Sequence, residues 1–176
     1  MSAYRAYLHE EKDIAFDFQS AFSHDATLPE LFSELSRRLE TAYDIDKGVL
    51  AVRNANDDGF QAVATWENGE VLEGLKLSLP TDPSLFEQVA MDSRVYTDTY
   101  GGIFSGNFFE KKLLFNDDSK SYLLHPIKFE GKVIGILGYS SQTESAFTLM
   151  EEGSLVKVID DLGKFINLKK MNNLIF

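Results

Sequence analysis

The sequence predicts an α+β fold in which an antiparallel sheet is covered on both faces. Three observations lead there. Residues 121–140 contain two apolar, β-branched runs, Ser121-Tyr-Leu-Leu-His-Pro-Ile-Lys-Phe129 and Lys132-Val-Ile-Gly-Ile-Leu-Gly-Tyr-Ser140, joined by Glu130-Gly131. An acidic residue followed by Gly between two such runs is a strong hairpin signal. Both runs are apolar at consecutive positions rather than alternating, so neither face of the hairpin is open to water. Amphipathic segments lie toward both ends of the chain, and their apolar stripes need a surface to cover.

Each element follows in order. Residues 4–22 place Tyr4, Tyr7, Leu8, Ala15, Phe18 and Phe22 close to one helical stripe. A second helix starts after Thr27: Thr27 and Glu30 have capping-box spacing, and Pro29 sits in the first turn, where its missing N–H costs nothing. Its face runs through Leu28, Leu31, Leu35, Leu39, Ala42 and Tyr43, and Asp44-Ile-Asp46 ends it. Residues 47–54 read as a strand, Asn56–Gly59 as a turn and residues 60–66 as the hairpin partner. Asn68-Gly69 supplies another turn, and residues 75–79 a short extended segment ending at Pro80. A short capped helix follows Asp82-Pro83, from Ser84 to Met91, and residues 94–98 form a brief strand.

Residues 99–120 carry no regular period and are rich in Gly and aromatic side chains. Loops of that length within a domain are commonly functional. The five rings Tyr100, Phe104, Phe108, Phe109 and Phe115 argue against disorder, because disordered segments are poor in them. Residues 147–171 form a final helix whose stripe runs Leu155, Val158, Ile159, Leu162, Phe165 and Ile166.

The 176 residues make one domain with a helical extension, long enough to bury roughly 70% of the unfolded surface. No apolar run approaches the ~20 residues of a membrane span and the N-terminus has no signal-peptide core, so a cytoplasmic location is expected. The net charge is -11, from 17 basic and 28 acidic residues. No basic run exceeds two residues, which excludes nucleic acid and anionic membrane surfaces as expected partners, since both demand clustered cations. Cysteine is absent. Disulfides, thiolate metal sites and cysteine nucleophiles are therefore all excluded.

The order helix, two strands, short helix, strand, long loop, two strands, helix resembles the GAF domain family. The residues that carry the resemblance are Arg94-Val-Tyr-Thr-Asp98, His125-Pro126-Ile127 and Glu130-Gly131-Lys132-Val133-Ile134-Gly135-Ile136-Leu137. It extends over roughly residues 26–170. PAS domains are the nearest alternative, but they open with strands. The resemblance implies a central antiparallel sheet of five to six strands with the terminal helices packed on one face. Loops and the short helix would cover the other face, over a small-molecule pocket, and the terminal helices would form a dimer. It also implies a sensory or regulatory role. The family's methionine-sulfoxide-reducing branch and its covalently bilin-bearing pockets both need thiols this chain lacks. The Asn-Lys pair of the cyclic-nucleotide subset is missing as well.

Candidate ligand-binding residues centre on the irregular segment. Tyr96, Tyr100, Phe104, Phe108 and Phe109 could stack on a planar or apolar ligand, with Asp98 or Asn107 fixing its orientation. The competing reading is that these rings close a hydrophobic core of their own. His125 lies within a predicted strand, as a haem ligand, a pocket hydrogen-bonding group or, the favoured reading, a core or edge histidine satisfied by its neighbours. Trp66 would roof a pocket or fill core, and Tyr139 completes the set. No metal ligands, catalytic residues or cofactor are expected. Gly138-Tyr139-Ser140-Ser141-Gln142 lacks the closing Gly of a nucleophile elbow, and Asp57-Asp58 and Asp117-Asp118 suit turns better than a calcium loop.

The expected organisation is a helical extension for dimerisation and signalling (1–25), a GAF-like domain (26–172) and a short tail (173–176). The expected function is a non-catalytic sensor binding a small molecule under the 99–120 loop and signalling through terminal helices in a homodimer. The alternative is a ligand-free dimerisation or scaffold domain. The apolar end Asn172-Asn-Leu-Ile-Phe176 suggests an output domain beyond it or a partner protein to dock on.

Overall fold

One six-stranded antiparallel sheet organises the chain, with strand order β3-β2-β1-β6-β5-β4. The strands are β1 (Ile45–Arg53), β2 (Phe60–Glu67), β3 (Glu70–Glu73), β4 (Tyr96–Thr99), β5 (Ser121–Phe129) and β6 (Lys132–Ser141). The helices are α1 (Leu28–Tyr43), α2 (Leu85–Asp92), α3 (Phe108–Leu114) and α4 (Ser154–Met171). This computed structural model describes residues 26–56, 58–73, 78–101, 104–147 and 154–171. The proposed helix over residues 4–22 and the tail 173–176 lie outside the described residues.

Local chemistry explains most boundaries. Thr27 Oγ1 accepts from the Glu30 N–H at 3.2 Å, Pro29 stands in the first turn of α1, and Asp44 ends the helix in the left-handed region. The two shortest hairpins turn on Asn68-Gly69 and Glu130-Gly131, and all four residues have positive φ. That is the conformation whose twist suits two-residue connections. β3 extends the second strand's edge, although only the Asn68-Gly69 turn was anticipated there. From the proposed segment 75–79, Ser78 bridges to Gln61 and the Leu79 N–H donates to the Phe60 carbonyl. Instead of starting a helix, Phe147 lies in a turn with its ring buried, and α4 begins at Ser154 among the described residues.

Helices cover both faces, as the hairpin's consecutive apolar positions require. On one face α1 and α4 pack over Leu50, Val52, Trp66, Leu123, Ile127, Leu137 and Tyr139. On the other, α2, α3 and the loop between β4 and α3 cover Val49, Ala51, Phe60, Tyr122, Leu124 and Ile136. The expected α+β architecture, with the outer helices of the domain on one face and loops with a short helix on the other, is the observed one. No helix among the described residues is long and apolar enough to cross a membrane.

Candidate functional site: a groove beside helix α3

The segment expected to be wholly irregular contains a helix. Asn107 and Glu110 form a capping box: the Asn107 side chain accepts from the Glu110 N–H at 2.9 Å, and the Glu110 carboxylate accepts from the Asn107 N–H at 3.0 Å. The same carboxylate is fully buried and also accepts from Ser84 Oγ (2.5 Å), the Leu85 N–H (2.9 Å) and the Phe86 N–H (3.0 Å). Ser84, Leu85 and Phe86 are the cap and first two residues of α2, whose N–H groups have no partner within their own helix. One carboxylate thus starts α3 and fastens it to α2. The Asn107 amide adds two bonds, to the carbonyls of Pro80 and Pro83 at 3.0 Å each.

So fastened, α3 turns Glu110 and Leu114 inward and presents Phe108, Lys111, Lys112 and then Phe115 along one flank. These positions follow the spacing i, i+3, i+4, i+7 of a single helical stripe. Opposite them stand Tyr100 and Gly101 at the end of β4, while Asn116, Asp117 and Ser119 complete a groove of about 560 Å³. That size falls within the range of small-molecule sites. Tyr100 and Phe115 stack with their centroids 3.9 Å apart and planes at 8°. Behind them Phe104 meets Phe115 and Tyr122 edge-on, at 5.1 Å and 5.9 Å. These rings close the space between loop and sheet, leaving the opening on the outer flank of α3.

Of the ten residues singled out from sequence, Tyr100 and Phe108 line this groove. Phe104 packs beneath it, Asn107 serves as the cap of α3, and Phe109 is exposed beside Phe108, with centroids 5.8 Å apart. Asp98 lines a smaller cavity of about 200 Å³ with Thr97, Thr99, Ser121, Tyr122, Ser145 and Phe147. The Tyr96 hydroxyl donates to the Asp92 carboxylate, which raises the phenol's pKa and lowers that of the acid.

Trp66, His125 and Tyr139 lie on the opposite face of the sheet, away from the groove. Trp66 is buried and donates to Glu40 at 3.2 Å. Tyr139, fully buried, shares a 2.7 Å hydrogen bond with Ser36 and stacks on Phe32, and its burial raises its pKa. His125 has Nδ1 2.8 Å from the Pro126 carbonyl, and buried Nε2 has no hydrogen-bond partner among the described residues. Lys111, Lys112, Phe115, Asn116, Asp117 and Ser119 were not among the candidates. The Asn107-x-x-Glu110 spacing was the signal that could have revealed their common flank.

Burial holds the His125 pKa below 6.5; the Pro126 carbonyl and the Asp160 charge oppose this, and Lys128 reinforces it. The unfolded chain therefore binds a proton near pH 6.5 that the folded chain refuses. Stability should be complete above that pH and fall as pH drops through it, by at most about 1.4 kcal/mol per unit. Urea midpoints at about pH 7.5 and about pH 5.5 should show this decline, and His125→Gln should flatten it.

The GAF domain family model matches residues 27–159. No curated protein matches the sequence. Among solved structures, the GAF domain of a two-component sensor histidine kinase from Bacillus halodurans superposes with a TM-score of 0.67 at 19% identity, covering 84% of this chain and 98% of that one. The GAF domain from a phosphoenolpyruvate-protein phosphotransferase of Coxiella burnetii gives 0.69 at 16% identity, covering 96% and 97%. The fRMsr of Staphylococcus aureus, in complex with substrate, gives 0.59 at 17%, covering 90% and 94%. At these identities the likeness concerns the fold, and the family match spans most of the sequence. This chain belongs to the GAF domain family.

Proposed function

We propose that this chain is a non-catalytic regulatory GAF domain that binds a small molecule in the groove beside α3 and signals through its terminal helices within a homodimer. The observation that carries the reading is the groove itself: about 560 Å³, lined by three aromatic rings and by the polar side chains of Lys111, Lys112, Asn116, Asp117 and Ser119. Sites for small molecules combine those two features. The sensory and regulatory character of the fold, and its occurrence in a sensor histidine kinase, support a signalling role. The fRMsr likeness raises an enzymatic alternative. A chain without cysteine has no thiolate for reductase chemistry, and no cluster of acidic or histidine side chains among the described residues suits a metal.

The homodimer reading rests on α4, where Leu168 and Met171, one turn apart, are 54% and 73% exposed. Replacing both with Glu should convert the dimer to monomer in light scattering while leaving circular dichroism unchanged. Mass unaffected by the double variant would place the interface elsewhere.

Thermal-shift measurements across amino acids, aromatic acids and nucleotides test the binding site. Saturation at ~100 times the dissociation constant adds about 2.7 kcal/mol to stability. A flat response throughout would favour the second reading, a ligand-free dimerisation domain. That reading draws on the Tyr100, Phe104, Phe115 and Tyr122 cluster, which fills the space under the loop with the chain's own rings.

A further inference from the structure

We infer that the groove beside α3 selects a planar, ring-bearing anion such as an aromatic carboxylate, an inference that rests on reading the groove as an effector site. The flank sets two ammonium groups, Lys111 and Lys112, between two rings, the exposed Phe108 and the C-cap residue Phe115. A stripe made only for packing would be apolar, and one made only for solvation would not carry two aromatic side chains.

Charge is what sets this flank apart. The chain carries -11 overall, yet two adjacent lysines border the groove. Neither forms an ion pair among the described residues. Lys112 Nζ instead stands 5.5 Å from the centre of the exposed Phe108 ring. A ring face is a weak partner for an ammonium at an exposed site, one that a carboxylate displaces readily. The lysines also oppose the negative end of the α3 dipole. That role alone does not call for the two rings flanking them.

Asp117 lowers this positive charge without cancelling it. With Lys111 and Lys112 it leaves the lining at +1, two positive groups against one negative. A lining that stays positive favours an anion over a neutral compound of the same shape. Tyr100, stacked on the buried Phe115, supplies the flat apolar wall, while the Asn116 side chain offers hydrogen bonds to ring substituents; the Ser119 hydroxyl is already bonded to Asp46 and to the Asn116 N–H.

Naphthoate, naphthamide and naphthyl phosphate test this, read as amide shifts of Gly101, Lys112 and Asn116 in the full chain. Naphthoate and naphthyl phosphate should both bind more tightly than the neutral amide, by about tenfold to a hundredfold. The exposed pair Lys111→Ala and Lys112→Ala should erase the preference for naphthoate over naphthamide with the remaining spectrum unchanged. Naphthamide binding as well as naphthoate overturns the charge inference and leaves the groove as a binding site. Naphthyl phosphate binding no better than naphthamide likewise overturns the preference for anions. Groove resonances unmoved by all three compounds at millimolar concentration overturn the inference, and a flat thermal-shift panel alongside would remove the effector site too.

Discussion

Replacing Glu110 with Ala should cost about 3–4 kcal/mol of unfolding free energy, read from urea midpoints. The carboxylate is fully buried and accepts from Ser84 Oγ and from the N–H groups of Leu85, Phe86 and Asn107. Truncation leaves these donors facing a void, and a buried donor without an acceptor loses the hydration it gave up on folding. Glu110→Gln keeps one acceptor oxygen but aims an amide N–H₂ at backbone N–H groups, so it should cost about 2 kcal/mol. The loss should also reach the groove, because α3 carries Phe108, Lys111 and Lys112. Amide exchange across residues 84–92 and 107–115 should accelerate more than exchange in β1 or β6. A cost within ~1 kcal/mol would mean that apolar contacts alone hold α2 against α3.

The second large effect concerns α4. At Gly163 an added Cβ would stand 2.3 Å from the carbonyl oxygen of Lys128 and 3.2 Å from its carbonyl carbon. Lys128 lies in β5 at a register irregularity between Ile127 and Lys128, so α4 touches strand backbone there. Alanine favours a helix interior over glycine by about 1 kcal/mol. Forcing backbone away from backbone costs more than that, and Gly163→Ala should lose about 2 kcal/mol net. Lys164→Ala, one residue on and exposed, should stay within ~0.5 kcal/mol. Since the displaced helix is the one proposed to relay the signal, the Gly163 variant should also weaken the dimer in light scattering. A more stable Gly163→Ala protein would show that the close approach is relieved without cost.

Much of the architecture was legible because it rests on local chemistry. Thr27 with Pro29, Ser84, Asn68-Gly69 and Glu130-Gly131 each announce a boundary through the conformation or hydrogen bond they supply, and each is realised. β3 escaped notice because Glu-Val-Leu-Glu is short and flanked by charge, and only its pairing with β2 makes it a strand. Helix α3 was hidden by neighbouring glycines and rings, although its capping pair was present in the sequence.

The face occupied by Trp66 was harder to foresee. Residues 60, 62, 64 and 66 share one parity, yet Phe60 and Ala62 belong to the loop face while Ala64 and Trp66 belong to the helix face. Leu50 pairs with Ala64 and Ala51 with Ala62, leaving Val63 as an extra residue. Such a bulge inverts every side chain beyond it. Nothing in the alternation of that strand marks where the inversion falls. His125 and Tyr139 share the face of Leu123 and Leu137 for a simpler reason: strand parity puts them under α1 and α4.

The sheet ends on β3 and β4, four residues each. Glu70 stands exposed on one border, and Asp98 and Thr99 on the other. Brief borders bearing acidic groups offer little for a foreign strand to zip onto, and like charges would meet if two copies tried. Concentrated solutions of this protein should therefore resist fibre growth, and self-association should stop at a finite assembly.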